Sequence, residues 1–247
     1  MKKFSLMIIL CLLAGSINSA FSQQKKDPPT TELWEPVPTV ITPGECGTPP
    51  SDAIILFDGK DLSHWTGENG KDPLWTVSDG AVTVVPGTGM LCTKKSFGDC
   101  QLHIEWRAPE KVVGESQDRG TSGIYLQGLY EVQVLDCYNN RTYSNGQAAS
   151  VYKQYIPLVN ACKKPGEWQI YDIIFMAPRF SDNGRVAIPA SMTILHNGVL
   201  VQNHVELIGP TENIGMPNYR PHALKLPLKL QDHDNPVSYR NIWIREL

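Results

Sequence analysis

The sequence predicts an all-β fold, a two-sheet antiparallel jelly-roll sandwich. Three observations predict it. Short apolar runs recur along most of the chain and alternate with polar residues at a period of two. Turn pairs such as Asp79-Gly80, Asn183-Gly184 and Asn197-Gly198 punctuate the gaps. No segment keeps helical periodicity over several turns, and no repeat at solenoid or propeller period occurs. Clean alternation belongs to antiparallel sheets with one face on a core, and many short strands without long helices build sandwiches or barrels.

The strands are predicted in order. "AIILF" (53–57), "LWTV" (74–77) and "AVTVV" (81–85) come first, followed by "QLHIEWR" (101–107), "GIYLQ" (123–127) and "YEVQVLD" (130–136). "QIYDIIFM" (169–176), "SMTIL" (191–195) and "VLVQNHVEL" (199–207) follow, and "LKLQDH" (228–233) and "YRNIWIREL" (239–247) close the chain. "TILHNGVLV" is the clearest hairpin, with Asn-Gly between two apolar runs.

The 247 residues suffice for one large domain or two small ones, and a sandwich of this kind often fills roughly 200–250 residues by itself. Hydrophobic residues make up 41% and charged residues 19%, a globular balance. The net charge of -3, with no basic run longer than a Lys pair, argues against nucleic-acid or anionic-membrane partners.

Residues 1–22 read as a secretory signal peptide: Lys2 and Lys3, an apolar run from Phe4 to about Ala14, then small and polar residues. Cleavage is expected after Ser22, with Ala20 as the competing site. The apolar run is shorter than the roughly 20 residues a bilayer span needs. Cys11 follows bulky Leu10, against a lipoprotein signal. The expected location is periplasmic or secreted. Residues 23–50 hold seven prolines and read as an extended lead-in, in which Leu33, Trp34 and Val37 could dock on the folded unit. The single folded domain is expected over 51–247. Export permits disulfides, and Cys137 and Cys162 are the candidate pair, each in a polar loop at the end of a strand-like run. Cys46, Cys92 and Cys100 supply candidates for a second.

Four strands share one split between apolar and polar faces. Leu102, Ile104 and Trp106 oppose Gln101, His103, Glu105 and Arg107. Ile124 and Leu126 oppose Tyr125 and Gln127; Val132 and Val134 oppose Glu131 and Gln133; Leu228 and Leu230 oppose Lys229, Gln231 and His233. An ordinary wet face is rich in Lys, Glu, Thr and Ser. This one is rich in His, Gln, Tyr and Arg, whose planar groups match sugar hydroxyls and carboxylates. A solvated face and a binding groove both remain open on pattern alone. Trp65, Trp75, Trp168 and Trp243 are core residues or stacking surfaces. No serine-hydrolase elbow, phosphate loop or dinucleotide fingerprint is present.

The motifs "LFDGKDLSHW" (56–65), "WTVSDGAVTV" (75–84), "FGDCQLHIEWR" (97–107), "SGIYLQ" (122–127), "YEVQVLD" (130–136), "KPGEWQIYDI" (164–173), "LHNGVLV" (195–201) and "LKLQDHDNPVSYRNIWIREL" (228–247) occur in this order. Together they resemble the 3-keto-disaccharide hydrolase family. The resemblance implies a concanavalin A-like jelly roll and cleavage of glycosides oxidised to a ketone at carbon 3. It implies removal of the acidified proton on carbon 2, elimination of the leaving group and addition of water. A partner oxidoreductase supplying the 3-keto sugar goes with that chemistry. The family's polar positions match Glu131, Gln133, Asp136, Gln231 and His233. Tyr152 is retained in "QAASVY", where Ala149 stands at an expected small position. Glu131 or His233 is expected as the catalytic base, with Glu105, Arg107, Tyr125, Gln133, Asp136, Tyr152 and Gln231 binding substrate. A divalent metal ion held by His233 and a carboxylate is the cofactor such a site could take. A non-catalytic carbohydrate-binding module on the same sandwich is the alternative.

Overall fold

The computed structural model describes residues 31–45 and 47–247; the signal-peptide and cleavage expectations, and Cys46, fall outside these residues. The described residues contain fifteen strands and no α-helix. In chain order the first are β1 (Ile54–Phe57), β2 (Trp65–Gly67), β3 (Thr76–Ser78), β4 (Ala81–Thr83) and β5 (Leu91–Phe97). Then come β6 (Cys100–Arg107), β7 (Ser122–Leu126), β8 (Tyr130–Val134) and β9 (Gln169–Met176). β10 (Arg179–Phe180), β11 (Val186–Ile188), β12 (Ser191–His196), β13 (Val199–Glu206), β14 (Leu226–Leu230) and β15 (Ser238–Glu246) complete the set. No helix among the described residues is long and apolar enough to cross a membrane.

Two antiparallel sheets form the sandwich. The larger runs β13-β12-β9-β6-β15-β4-β3, with β1 also paired to β15. The smaller runs β2-β5-β14-β7-β8, and β10 with β11 makes a separate ribbon. Leu102, Ile104 and Trp106 of β6 and Tyr171, Ile173 and Phe175 of β9 are buried from the larger sheet. Ile124, Leu126, Val132, Val134, Leu228 and Leu230 are buried from the smaller one. Each of these aliphatic side chains contributes about 1.5–3 kcal/mol by leaving water. The same alternation turns Tyr125, Glu131, Gln133 and Gln231 to the outer face of the smaller sheet.

The turn Asn197-Gly198 joins β12 to β13 with both residues at positive φ (53° and 79°), as a tight hairpin requires. The sequence pattern missed β2, β5, β10 and β11. In β5, "LCTKKSF", the exposed residues Lys94 and Lys95 are adjacent and break the alternation.

The compact unit begins at Ile41, ahead of the expected Ser51, because the segment before Ser51 is tied to the sandwich. Thr42 N donates to Ser51 Oγ and Ser51 N to Thr42 O, each at 3.0 Å. Gly47 O accepts from Asn241 Nδ2 at 3.0 Å and Trp243 Nε1 at 3.1 Å, both on β15. In residues 31–40, Leu33, Trp34 and Val37 are exposed.

Cys92, Cys100, Cys137 and Cys162 are free thiols, so the expected Cys137–Cys162 disulfide is not formed. The Cys137 and Cys162 thiols lie side by side. Cys137 Sγ accepts from Ala148 N at 3.0 Å, and the Cys162 thiol is hydrogen-bonded to Cys137, which with burial raises its pKa.

His103 of β6 lies flat against Trp243, ring centroids 5.0 Å apart, beneath Gly47. Its Nδ1 donates to Asp172 Oδ1 at 2.7 Å. Burial opposes its charge, but hydrogen bonds to Asp172 and Glu105 outweigh this and raise its pKa to about 9. Because the folded pKa lies above the usual 6.5, this stabilisation is complete below pH 6.5 and is lost as pH rises through about 9. Urea unfolding should therefore show wild type losing stability across this window relative to His103→Gln. Parallel pH curves for the two proteins would contradict the assignment.

Candidate active site

A polar cavity of about 300 Å³ opens on the outer face of the smaller sheet. Its floor is β7, β8 and the end of β14. β7 and β8 pair in register, with Gly123 opposite Gln133 and Tyr125 opposite Glu131. Beyond β14, Gln231 N donates to Gly123 O at 2.9 Å and continues the ladder. Tyr125, Glu131, Gln133 and Gln231 are thus brought side by side by pleat and register alone.

The free edge of β8 is closed by residues 149–152. Ala149 N donates to Gln133 O (2.9 Å), Gln133 N to Ser150 O (3.0 Å) and Tyr152 N to Glu131 O (3.2 Å). Ala149 is fully buried with φ 63°, a conformation in which only a small side chain fits comfortably. This pairing brings Tyr152 to the cavity wall, where its hydroxyl meets Tyr143 Oη at 2.5 Å. Lys153 Nζ lies 5.3 Å from the Tyr152 ring centroid and donates to Asn213 O at 2.6 Å. Thr211 Oγ1 accepts from Glu131 N at 2.9 Å and Thr211 N donates to Leu129 O at 2.8 Å, so the Thr211 loop continues the closure of the same edge. His233, on the loop after β14, also lines the cavity.

Glu131 is only 3% exposed. Burial disfavours its charge and pushes its pKa up to about 7, against the pull of the Tyr125 hydrogen bond and the Lys153 charge. Burial likewise pushes the Tyr125 and Tyr152 hydroxyls up, so both stay protonated and able to donate. Gln231 Nε2 donates to Tyr125 Oη at 3.2 Å, while its Oε1 is buried and has no partner. A ligand hydroxyl would satisfy that orphan acceptor. Gly123 leaves the floor bare. A Cβ there would lie 2.6 Å from Glu131 Oε1 and 3.2 Å from Gln231 Oε1.

Six of the nine residues predicted from sequence line this cavity: Tyr125, Glu131, Gln133, Tyr152, Gln231 and His233. The other three lie elsewhere. Glu105 and Arg107 are on β6, in the larger sheet, and face out from the opposite side of the sandwich. There Arg240 Nε donates to Glu105 Oε2 at 2.6 Å, and Arg107 and Arg240 sit 4.6 and 4.1 Å from the Trp168 ring centroid. Burial works against the Glu105 charge, but His103, Asn241 and Arg240 outweigh it and lower its pKa to about 2. Asp136 has the parity of Val134, not of Glu131. It is buried and accepts from Arg119 Nε at 2.6 Å and Tyr138 N at 3.0 Å, tying two loops together.

Sequence reasoning missed Gln117, Thr121, Thr211 and Asn213, which complete the lining. Gln117 lies in a single 3₁₀ turn (Ser116–Asp118) and the other three on irregular loops, too short or too irregular for periodicity to mark a side chain as facing a site. His196, the last residue of β12, is buried beside Gln169 with its pKa lowered by burial to about 3. The cavity offers a metal ion one carboxylate, Glu131, and one imidazole, His233; among the described residues no group of three or more His, Cys, Asp or Glu is assembled to hold one.

An acid whose folded pKa is raised from 4.5 to about 7 loses stability as pH climbs through that interval. Glu131→Gln should therefore be more stable than wild type at pH 8, by about 1–3 kcal/mol in denaturant titration, with the gap closing near pH 4.5. A variant less stable at pH 8 would mean the carboxylate is well accommodated.

Among solved structures, the chain is similar to a candidate glycosyl hydrolase from Parabacteroides distasonis. The two are 53% identical with a TM-score of 0.85, over 89% of this chain and 96% of that one. A second candidate glycosyl hydrolase from the same organism is 19% identical with a TM-score of 0.59, over 79% and 94% of the two chains. A third is also 19% identical, with a TM-score of 0.53, over 79% and 99%. These two share the fold. No curated protein matches the chain in sequence. Residues 52–245 match the family model described as a 3-keto-alpha-glucoside-1,2-lyase-like domain, so the chain belongs to the 3-keto-disaccharide hydrolase family.

Proposed function

We propose that the protein is an exported carbohydrate-active enzyme that cleaves 3-keto-glycosides, with Glu131 as its acid–base group. The observation that carries this is a nearly inaccessible carboxyl poised near neutrality on the floor of a polar cavity. A module that only binds sugars gains nothing from a carboxyl so perturbed, whereas general acid–base catalysis needs one. Family membership supports the substrate class.

The ketone at carbon 3 acidifies the proton on carbon 2. Ionised Glu131 takes that proton, and the electron pair passes through the enolate into the C1–C2 bond as the C1–O bond breaks. The departing oxygen takes a proton. Water then adds across the double bond, hydroxyl to carbon 1 and hydrogen to carbon 2, completing net hydrolysis. Tyr125 and Tyr152, protonated and beside Glu131, are the donors available to the ketone oxygen. Gln231 Oε1 takes a sugar hydroxyl. His233, at the cavity mouth, is the second candidate for proton transfer. The signal pattern of residues 1–22 directs export, and an oxidoreductase acting earlier supplies the ketone.

Purified protein should turn over a 3-keto-glycoside and not its unoxidised parent, with chelator present as a control for metal. The rate should rise as pH increases through about 7, because the base must be ionised. Glu131→Gln should lower kcat by at least about 100-fold. Gly123→Ala should lower it by about 10-fold or more, by displacing the carboxyl, with the fold intact by circular dichroism. Undiminished turnover in both Glu131→Gln and His233→Ala would overturn the site assignment.

A further inference from the structure

The Gln133 amide lies between two acceptors of different kinds, and its orientation has a chemical consequence for Glu131. In one orientation its nitrogen donates to Gln117 Oε1 at 2.9 Å. Its oxygen then faces Glu131 Oε1 and Ser122 O, each at 3.2 Å. In the reverse orientation the nitrogen would donate to both of those oxygens, and two amide oxygens would meet at 2.9 Å. Considered alone, Gln133 favours the reverse orientation.

Gln117 decides otherwise. Its own Nε2 donates to Thr142 Oγ1 at 2.7 Å and to Gly146 O at 3.0 Å. The Gly146 carbonyl can only accept, so the atom facing it is nitrogen. Gln117 Oε1 therefore points at Gln133 and demands a donor. That sets the Gln133 oxygen towards Glu131. The polarity of the chain starts at a backbone carbonyl and ends at the carboxyl. An ionised Glu131 would face an oxygen at 3.2 Å with no hydrogen between them. A protonated one donates to it. The same orientation leaves Ser122 O facing the Gln133 oxygen, a cost that a hydrogen bond from the Glu131 carboxyl offsets.

We infer that Gln117 is a positioning residue which, by fixing the direction of the Gln133 amide, makes Glu131 hold its proton more tightly. Ionisation of Glu131 then requires both amides to reverse or the contact to open. Two glutamines thus act together with burial to keep the carboxyl protonated at rest. The inference rests on Glu131 as the acid–base group of the proposed function. The other groups facing Glu131 are Tyr125 of β7, Tyr152 and Lys153 of the edge-closing segment, His233 of the loop after β14, and Tyr239 of β15 beneath the sheet. None of them takes part in the amide chain.

The test is a ¹³C NMR titration of the Glu131 carboxyl in substrate-free protein, assigned by its loss in Glu131→Gln. Gln117→Met keeps the length of the side chain and removes the amide. It should lower the Glu131 pKa by about one unit, a tenfold change in proton affinity. Gln133→Met should lower it as well, since it removes the acceptor for the carboxyl proton. A rise in Gln133→Met would show that the amide donates to the carboxylate and would overturn the inference. An unchanged value in Gln117→Met, folded by circular dichroism, would overturn it too. The pH–rate profile of Gln117→Met should shift its acidic limb by the same amount. If the titration shifts but no 3-keto-glycoside is turned over, the proposed function fails and the amide chain stands.

Discussion

Everything at the site depends on the parity of one short strand. In β8, Tyr130, Val132 and Val134 are locked into the core, and this leaves Glu131 and Gln133 no face but the outer one. A slip of one residue would bury the carboxyl between the sheets and expose the valines. The hydrophobic energy that fixes the register of the sandwich therefore also fixes the chemistry of the cavity. β7 and β14 obey the same constraint, so Tyr125 and Gln231 arrive beside Glu131 without any loop having to place them.

The outer face is not, however, an open wet surface. Residues 149–152 and the Thr211 loop together close the free edge of β8, and Asn213 adds to the cavity lining. All five residues of β8 are consequently buried on both faces. Closure removes water from around Glu131 and raises its proton affinity. Gly123 gives the carboxyl room, at a position where any larger side chain would compete with it. A buried carboxyl whose pKa is raised to about 7 costs stability near and above neutrality, the kind of cost that marks a candidate functional site.

Much of this was legible in the sequence, because period-two alternation reports directly which side chains share a face. The all-β fold, the Asn197-Gly198 hairpin and the outward set on β7, β8 and β14 could all be read from it. Alternation says nothing about which sheet a strand joins. That is why Glu105 and Arg107, with the same pattern, were grouped with Glu131 although β6 lies in the other sheet. They belong to a separate cluster with Arg240 and Trp168. Asp136 carried its own warning, since its parity matches Val134, and it proves to be half of an ion pair with Arg119. Gln117, Thr211 and Asn213 had no signal at all. Loop residues are placed by tertiary hydrogen bonds, which leave no periodic trace.

The central claim is that Glu131 moves a proton on and off carbon 2 of a 3-keto sugar. The most direct measurement is turnover of a 3-keto-glycoside in D₂O, with the product read by ¹H NMR. Elimination and re-addition should place deuterium at carbon 2 of product sugars beyond the exchange seen without enzyme, and Glu131→Gln should suppress that incorporation together with cleavage. Cleavage by wild type with no enzyme-dependent deuterium at carbon 2 in any product, or undiminished incorporation and cleavage in Glu131→Gln, would contradict the account.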